Sequence, residues 1–130
     1  MDFKKLYMTD PAKAQGVWTE PDASGARYLI ARYGHQARAR AEKLQAPYKR
    51  QFDNGSASPE LRHQLLAQCL AETVLLDWDA LQIDGKTVAY SREAARQLLE
   101  QHEDFADFIL KQAVDKANFD YEQEQATVKN

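Results

Sequence analysis

The residues most able to carry catalysis or bind a metal are few and lie far apart in the sequence. The three histidines, His35, His63 and His102, fall in separate segments and lack the four-residue spacing that places two zinc ligands on one helix face. The only cysteine, Cys69, lies on an apolar stripe, where a role as a small core residue is favoured over nucleophilic catalysis. The chain also lacks a phosphate-binding glycine loop, a dinucleotide fingerprint and a nucleophile elbow. We therefore predict a protein that is not an enzyme and needs neither a metal nor a cofactor.

Two groups of acidic residues could do chemistry. Asp77, Asp79 and Asp84 flank a turn, and three carboxylates can hold a divalent cation. Their spacing misses the EF-hand pattern, however, and aspartates at helix ends and turns commonly make local hydrogen bonds. Glu103 and Asp104 could form a pair of catalytic carboxylates, yet they precede a predicted helix, where the helix dipole stabilises negative charge. Local structural roles are favoured for all five residues.

The distribution of charge is more informative than the net charge of −3. Residues 26–50 hold seven basic side chains and one acidic side chain, whereas residues 51–130 hold seven basic and fifteen acidic ones. This asymmetry fits either two solvated helix faces or a basic surface for a partner. The candidate partner-binding residues are Arg38, Arg40, Lys43, Lys49, Arg50 and Trp78.

Trp78 and the basic candidates would contact a partner through different interactions. Tryptophan is enriched in binding hot spots, although a core position is favoured for both Trp18 and Trp78. The basic residues could also meet phosphate. A nucleic-acid partner is disfavoured, because the chain is acidic overall and Pro47 would disrupt a recognition helix.

The composition predicts one folded domain. A chain of 130 residues, 44% of them hydrophobic, can bury one core but leaves no room for two full domains. We assign the domain to residues 1–122 and a polar C-terminal tail to residues 123–130. No apolar run approaches the roughly 20 residues of a membrane-spanning helix, and no signal peptide is recognisable. With a single cysteine, these features predict a cytosolic protein without a membrane partner.

The hydrophobic periodicity predicts an α+β fold that is mostly helical. Strand-forming residues on both sides of a Pro-Asp-Ala-Ser-Gly turn predict an N-terminal β-hairpin over 17–33. About four helices are expected, at about 36–51 with a break near Pro47, at 58–76, from 91 to a break at 102, and at 104–118 with Ala117 facing inward. Asp84-Gly85 predicts a second, short hairpin between the central and third helices. The helix at 58–76 has the widest apolar surface, so we expect it to be the central one.

Several short segments follow one another in a recognisable order. They are Gly16-Val17-Trp18, residues 26–32, Pro47-Tyr48-Lys49-Arg50-Gln51, residues 75–79, Asp84-Gly85-Lys86, residues 90–94 and Ala117-Asn118-Phe119. In this order, over roughly residues 13–120, the chain resembles the tail assembly chaperones of long-tailed bacteriophages. It departs from that family at His35-Gln36, where an asparagine-led helix start is expected.

The resemblance implies a role in assembly rather than a reaction. Such chaperones hold the long, helical tape measure protein while tail tube subunits polymerise around it, and they are absent from the mature virion. They are commonly made in a short form and a longer frameshifted form, and this chain would be the short one. The implied location is the host cytoplasm, the implied partners are the tape measure protein and possibly the tail tube protein, and self-association is also possible. The alternative is a structural tail or head-completion protein that stays in the particle.

Overall fold

The computed structural model describes residues 2–122, and these form an α+β fold that is mostly helical, as predicted. The helices are α1 (Phe3–Tyr7), α2 (Pro11–Ala14), α3 (His35–Gln45), α4 (Lys49–Asp53), α5 (Pro59–Thr73), α6 (Arg92–Gln101) and α7 (Glu103–Val114), with 3-10 turns at Ala46–Tyr48 and Lys116–Phe119. The strands are β1 (Val17–Trp18), β2 (Arg27–Ile30), β3 (Leu75–Asp79), β4 (Gln82–Ile83) and β5 (Lys86–Thr87). The predicted tail at 123–130 lies outside the described residues.

The N-terminal hairpin is confirmed but belongs to a larger sheet. Strands β1 and β2 are antiparallel, and the Asp22 side chain closes their turn by accepting hydrogen bonds from the backbone N–H groups of Ser24 and Ala26. Strand β2 also pairs with β3, so the sheet has the order β1-β2-β3. The prediction that the central helix continues to Leu76 is therefore wrong, because α5 ends at Thr73 and the chain enters this third strand.

A bulge explains why β3 has no regular strand pattern in the sequence. The pairing of Ile30 with Leu75 is followed by that of Leu29 with Asp77, so Leu76 is an extra residue on its strand. Leu75 and Trp78 both face the core although they are three residues apart, while Leu76 is exposed. Apolar residues three positions apart, such as Leu75 and Trp78, are also typical of one face of a helix. This spacing explains why the sequence predicted a central helix that continues beyond Thr73, where α5 ends.

The ends of the longer helices follow the capping signals. The Ser58 hydroxyl accepts a hydrogen bond from the N–H of Leu61 at 3.0 Å, and the Ser91 hydroxyl accepts one from the N–H of Ala94 at 2.9 Å. Pro47 ends the regular turns of α3, as predicted, and the chain passes through a 3-10 turn into α4. These local signals set where each helix begins and where the basic segment bends.

Helix α5 is the central helix, as predicted. It packs against α3, α6, α7 and strand β3, and it buries Ala67, Cys69, Leu70 and Ala71. The His63 ring adds a polar link, since its Nε2 lies 3.0 Å from the carbonyl oxygen of Leu99 and 2.9 Å from that of Glu100, at the end of α6. Two backbone acceptors of a helix terminus are thereby satisfied.

The tight turn between β4 and β5 is also confirmed. Asp84 and Gly85 have φ angles of +53° and +77°, which are the positive values that a type I′ turn requires at both central positions. Asparagine, aspartate and glycine tolerate this conformation better than other residues. The Asp-Gly pair is thus used for backbone geometry.

The C-terminal helix is shorter than predicted. Helix α7 ends at Val114, and the 3-10 turn that follows exposes Ala117 and buries Phe119 instead. The carbonyl oxygen of Phe119 accepts a hydrogen bond from the N–H of Asp10 at 2.9 Å. The prediction that Ala117 faces inward is wrong because the helical periodicity on which it depends stops three residues earlier.

The central position of α5 gives a direct stability test. Leu70 is fully buried, so Leu70→Ala should lower the free energy of unfolding by about 2–5 kcal/mol through lost burial and a cavity. The matched control is Leu76→Ala, in which the same change is made at the exposed bulge and should cost less than about 1 kcal/mol. Urea unfolding monitored by circular dichroism measures both. Equal losses would contradict the assignment of Leu70 to the core.

Candidate partner-binding surface

The predicted basic surface exists on α3 and α4. Helix α3 buries Ala37 and half-buries Ala41 and Leu44, so its remaining faces are open to solvent. Arg38, Lys43 and Arg50 are exposed, and within residues 2–122 they take part in no ion pair. Among the predicted basic residues, these three are the ones that a partner can reach without breaking an ion pair.

Arg40 has a structural role. Its Nε donates a hydrogen bond to Glu72 Oε1 at 2.5 Å, and the Gln68 amide donates to the other oxygen of the same carboxylate at 3.0 Å. The hydrogen bond from Arg40 holds the pKa of Glu72 below its usual range, and Gln68 adds to this effect. Arg40 therefore joins α3 to α5 instead of remaining available to a partner.

Lys49 is engaged more weakly. Its ammonium group lies 2.6 Å from Asp53 Oδ2, four residues further along α4, and both side chains are mostly exposed. Ion pairs of this kind contribute little to stability in water. A partner carboxylate could displace Asp53 at small cost, so Lys49 remains a possible contact.

Trp78 is a core residue and lies apart from the basic surface. Its side chain is only 6% exposed, and its indole N–H donates a hydrogen bond to the carbonyl oxygen of Val88 at 2.8 Å. The ring packs edge-on against Tyr90 with the centroids 5.0 Å apart, and the Tyr90 hydroxyl donates to the carbonyl oxygen of Leu75. The prediction that Trp78 anchors a partner is wrong for this conformation, because the ring is covered by its own domain.

The structure adds a recess of mixed polar and apolar lining beside the basic residues. Two cavities, of about 310 and 180 Å³, both include Gln45 and Phe52 in their walls, and the larger one is also lined by Glu42, Lys49 and Asp53. The smaller one is also lined by Ala41, Leu65 and Leu66, and the Arg62 guanidinium lies 5.9 Å from the centre of the Phe52 ring. We call these two adjoining cavities the Phe52 cleft. Phe52 lies on α4, which follows the bend after Pro47, so the cleft depends on that bend.

Asp77 and Cys69, two of the residues considered for chemistry, make local contacts in the structure. Within residues 2–122, no group of three or more histidine, cysteine, aspartate or glutamate side chains is placed to hold a metal ion. Asp77 instead accepts a hydrogen bond from the N–H of Trp78 at 2.8 Å. Cys69 is buried, burial raises the pKa of its thiol, and its Sγ donates to the carbonyl oxygen of Ala37.

The family comparison covers the part of the chain that carries this surface. A profile of the YdaY prophage protein family matches residues 33–130, which is more than half of the chain. The chain belongs to the YdaY prophage protein family. The phage origin implied by the resemblance is thus confirmed. No curated protein and no solved structure matches the chain.

The extent of the YdaY match separates two parts of the molecule. The matched residues include α3, α4 and α5, and with them the basic surface and the Phe52 cleft. Helices α1 and α2 and strands β1 and β2 precede the match.

No helix within residues 2–122 is both long enough and apolar enough to cross a membrane.

The Arg40–Glu72 contact predicts a pH dependence. The pKa of Glu72 is lower in the folded protein than in the unfolded chain. The Arg40–Glu72 contact therefore contributes its full stabilisation above the pKa of glutamate in the unfolded chain, about 4.3. This stabilisation is lost as the pH falls through the lower pKa that Glu72 has in the folded protein. The free energy of unfolding of the parent should therefore fall below about pH 4.3, and Glu72→Gln should weaken this fall. Glu42→Gln, an exposed glutamate of α3, is the control. Identical pH profiles for the parent and Glu72→Gln would contradict the assignment.

Proposed function

We propose that this YdaY-family protein is a phage tail assembly chaperone. In this role it binds the tape measure protein in the host cytoplasm while the tail tube assembles, acts without catalysis, and is absent from the mature virion. Its phage origin and the ordered resemblance of residues 13–120 to such chaperones support the proposal. The observation that carries it is the Phe52 cleft in a phage protein, whose smaller part is lined mainly by apolar residues and whose larger part is lined by Lys49 together with Glu42 and Asp53.

The cleft suits one segment of a long helical client. An amphipathic helix binds a groove by inserting apolar side chains spaced three or four residues apart. The two parts of the Phe52 cleft are adjacent and each is large enough for an apolar side chain. Arg38 and Arg50 are exposed on α3 and α4, the helices that line the larger cavity, and they would attract acidic residues of the client helix. Covering such a segment would keep the client from aggregating before the tube encloses it.

Mass spectrometry of purified virions separates this function from the alternative. A chaperone should be present in infected-cell lysate and absent from the particle, whereas a structural tail or head-completion protein should remain in the particle. The same lysate would reveal a longer frameshifted form through peptides that continue beyond residue 130. Recovery of the chain from virions in numbers comparable to those of tail proteins would rule out the chaperone role.

The basic surface gives a charge test of client binding. Arg38→Glu combined with Arg50→Glu should weaken capture of the co-expressed tape measure protein, most strongly at low salt, because exposed charges mainly steer association. Arg40 is left intact because it holds Glu72. The control is Lys86→Glu with Lys111→Glu, which makes the same charge change at exposed residues on β5 and α7. Parental capture by the folded Arg38/Arg50 variant at low salt would place the binding surface elsewhere.

The cleft gives a second test with a different salt dependence. Phe52→Ala should reduce capture at low and high salt alike, because the lost contact is apolar. Phe52→Tyr keeps the ring and is the matched control, and it should bind nearly as the parent does. Pull-down at two ionic strengths, with the melting temperature of each variant, distinguishes lost binding from lost folding. Unchanged capture by a folded Phe52→Ala variant would exclude the cleft as the client site.

A further inference from the structure

Helix α1 exposes every one of its residues. Phe3 and Tyr7 are 65% and 69% exposed, and Leu6 and Met8 are also among the exposed large hydrophobic residues. Leu6, Tyr7 and Met8 are consecutive, and within residues 2–122 no other exposed large hydrophobic residues are adjacent in the sequence. Contiguous exposed apolar surface on a folded protein typically marks an interaction site.

The orientation of α1 directs its apolar side outward. Phe3, Leu6 and Tyr7 are spaced three and four residues apart and therefore share one face, and we call them the α1 stripe. The contacts with the body of the domain are made by other groups. Lys4 Nζ lies 4.1 Å from the centre of the Tyr121 ring, and the carbonyl oxygen of Lys5 accepts a hydrogen bond from Lys116 at 3.0 Å. The polar flank of the helix is attached to the domain and the stripe is left uncovered.

A helix of this length has little stability of its own. One turn provides few backbone hydrogen bonds against the entropy of ordering its residues, so short helices depend on packing of an apolar face. In α1 the Asp2 cap, the Phe3–Tyr7 ring contact at 5.0 Å and the two lysine contacts provide support, but none of them covers the stripe. A partner that covered the stripe would supply the missing packing.

We propose that the α1 stripe is a self-association surface that packs against the same stripe of a second copy of this chain. The stripe carries no charged side chain, so it offers nothing specific to an acidic or basic partner, whereas it is complementary to itself across a two-fold axis. Lys4 is held on the other side of the helix by Tyr121, so it need not approach its counterpart. This proposal does not depend on the proposed chaperone function.

The size of the surface sets the strength of the dimer. Fully covering an aromatic side chain removes about 150–250 Å² from solvent, so two copies of the partly exposed stripe with Met8 would bury at most on the order of 800 Å² in total. Stable complexes bury about 1,200–2,000 Å². The dimer is therefore weak and forms at high concentration.

Sedimentation velocity of the full chain over a concentration series tests the proposal. Between about 10 µM and about 1 mM, the weight-average mass of the parent should rise toward that of a dimer. Leu6→Glu should keep the protein monomeric throughout. The control is Ile83→Glu, because Ile83 is as exposed as Leu6, at 44%, but lies on strand β4. Its mass should rise as in the parent.

Further variants keep the outcome decisive. The melting temperature of Leu6→Glu should match the parent because α1 buries no residue of its own, and Tyr7→Ser provides a milder change at the same stripe. Lys4→Gln should leave the dimer intact. The proposal is overturned if the parent stays monomeric at about 1 mM, if Ile83→Glu abolishes association as fully as Leu6→Glu, or if Lys4→Gln does so.

Discussion

Helix α5 must bury apolar side chains on several faces at once, and the other elements are arranged around that requirement. Helices α3 and α6 both pack against it, and strand β3 continues directly from it into the sheet. Because α3 uses its apolar stripe for this contact, its basic residues can only face solvent or reach across to α5. The packing of apolar side chains around α5 thus determines which charged side chains are exposed. Within residues 2–122, no polar or charged residue is buried.

Two of the side chains with shifted pKa values lie where α3 meets α5. A catalytic group usually needs burial or close neighbours to shift its pKa. The shifted carboxyl group with a clear cross-helix partner is Glu72, and its partner Arg40 fixes one helix against another. The buried thiol of Cys69 has its pKa raised, which makes it less reactive. Both groups therefore stabilise the contact between α3 and α5, and the recognition that we propose uses the exposed cations and the Phe52 cleft instead.

Local signals in the sequence were enough to locate most elements. Ser58, Ser91 and Pro47 act within one or two turns of their own position, and Asp84-Gly85 specifies its turn from two residues alone. Three features required long-range information. A bulge at Leu76 disguised a strand as a helix, pairing with Val88 and Tyr90 buried Trp78, and the Phe52 cleft depends on how α4 meets α5. The residues of the basic surface were predicted from the sequence. The spacing of these residues along the chain could not show that Arg40 and Lys49 form ion pairs, with Glu72 and Asp53.

The two proposed surfaces differ in physics and in their place along the chain. The basic surface and the Phe52 cleft lie within the residues that match the YdaY family, whereas the α1 stripe precedes them and is apolar. A weak dimer contact has little effect on free protein at low concentration. If several copies sit on one long client, however, each holds its neighbour at a high effective concentration, and the same weak contact becomes strong. The α1 stripe would then link copies only where a client has gathered them, because the client supplies the concentration that the small area of the stripe requires.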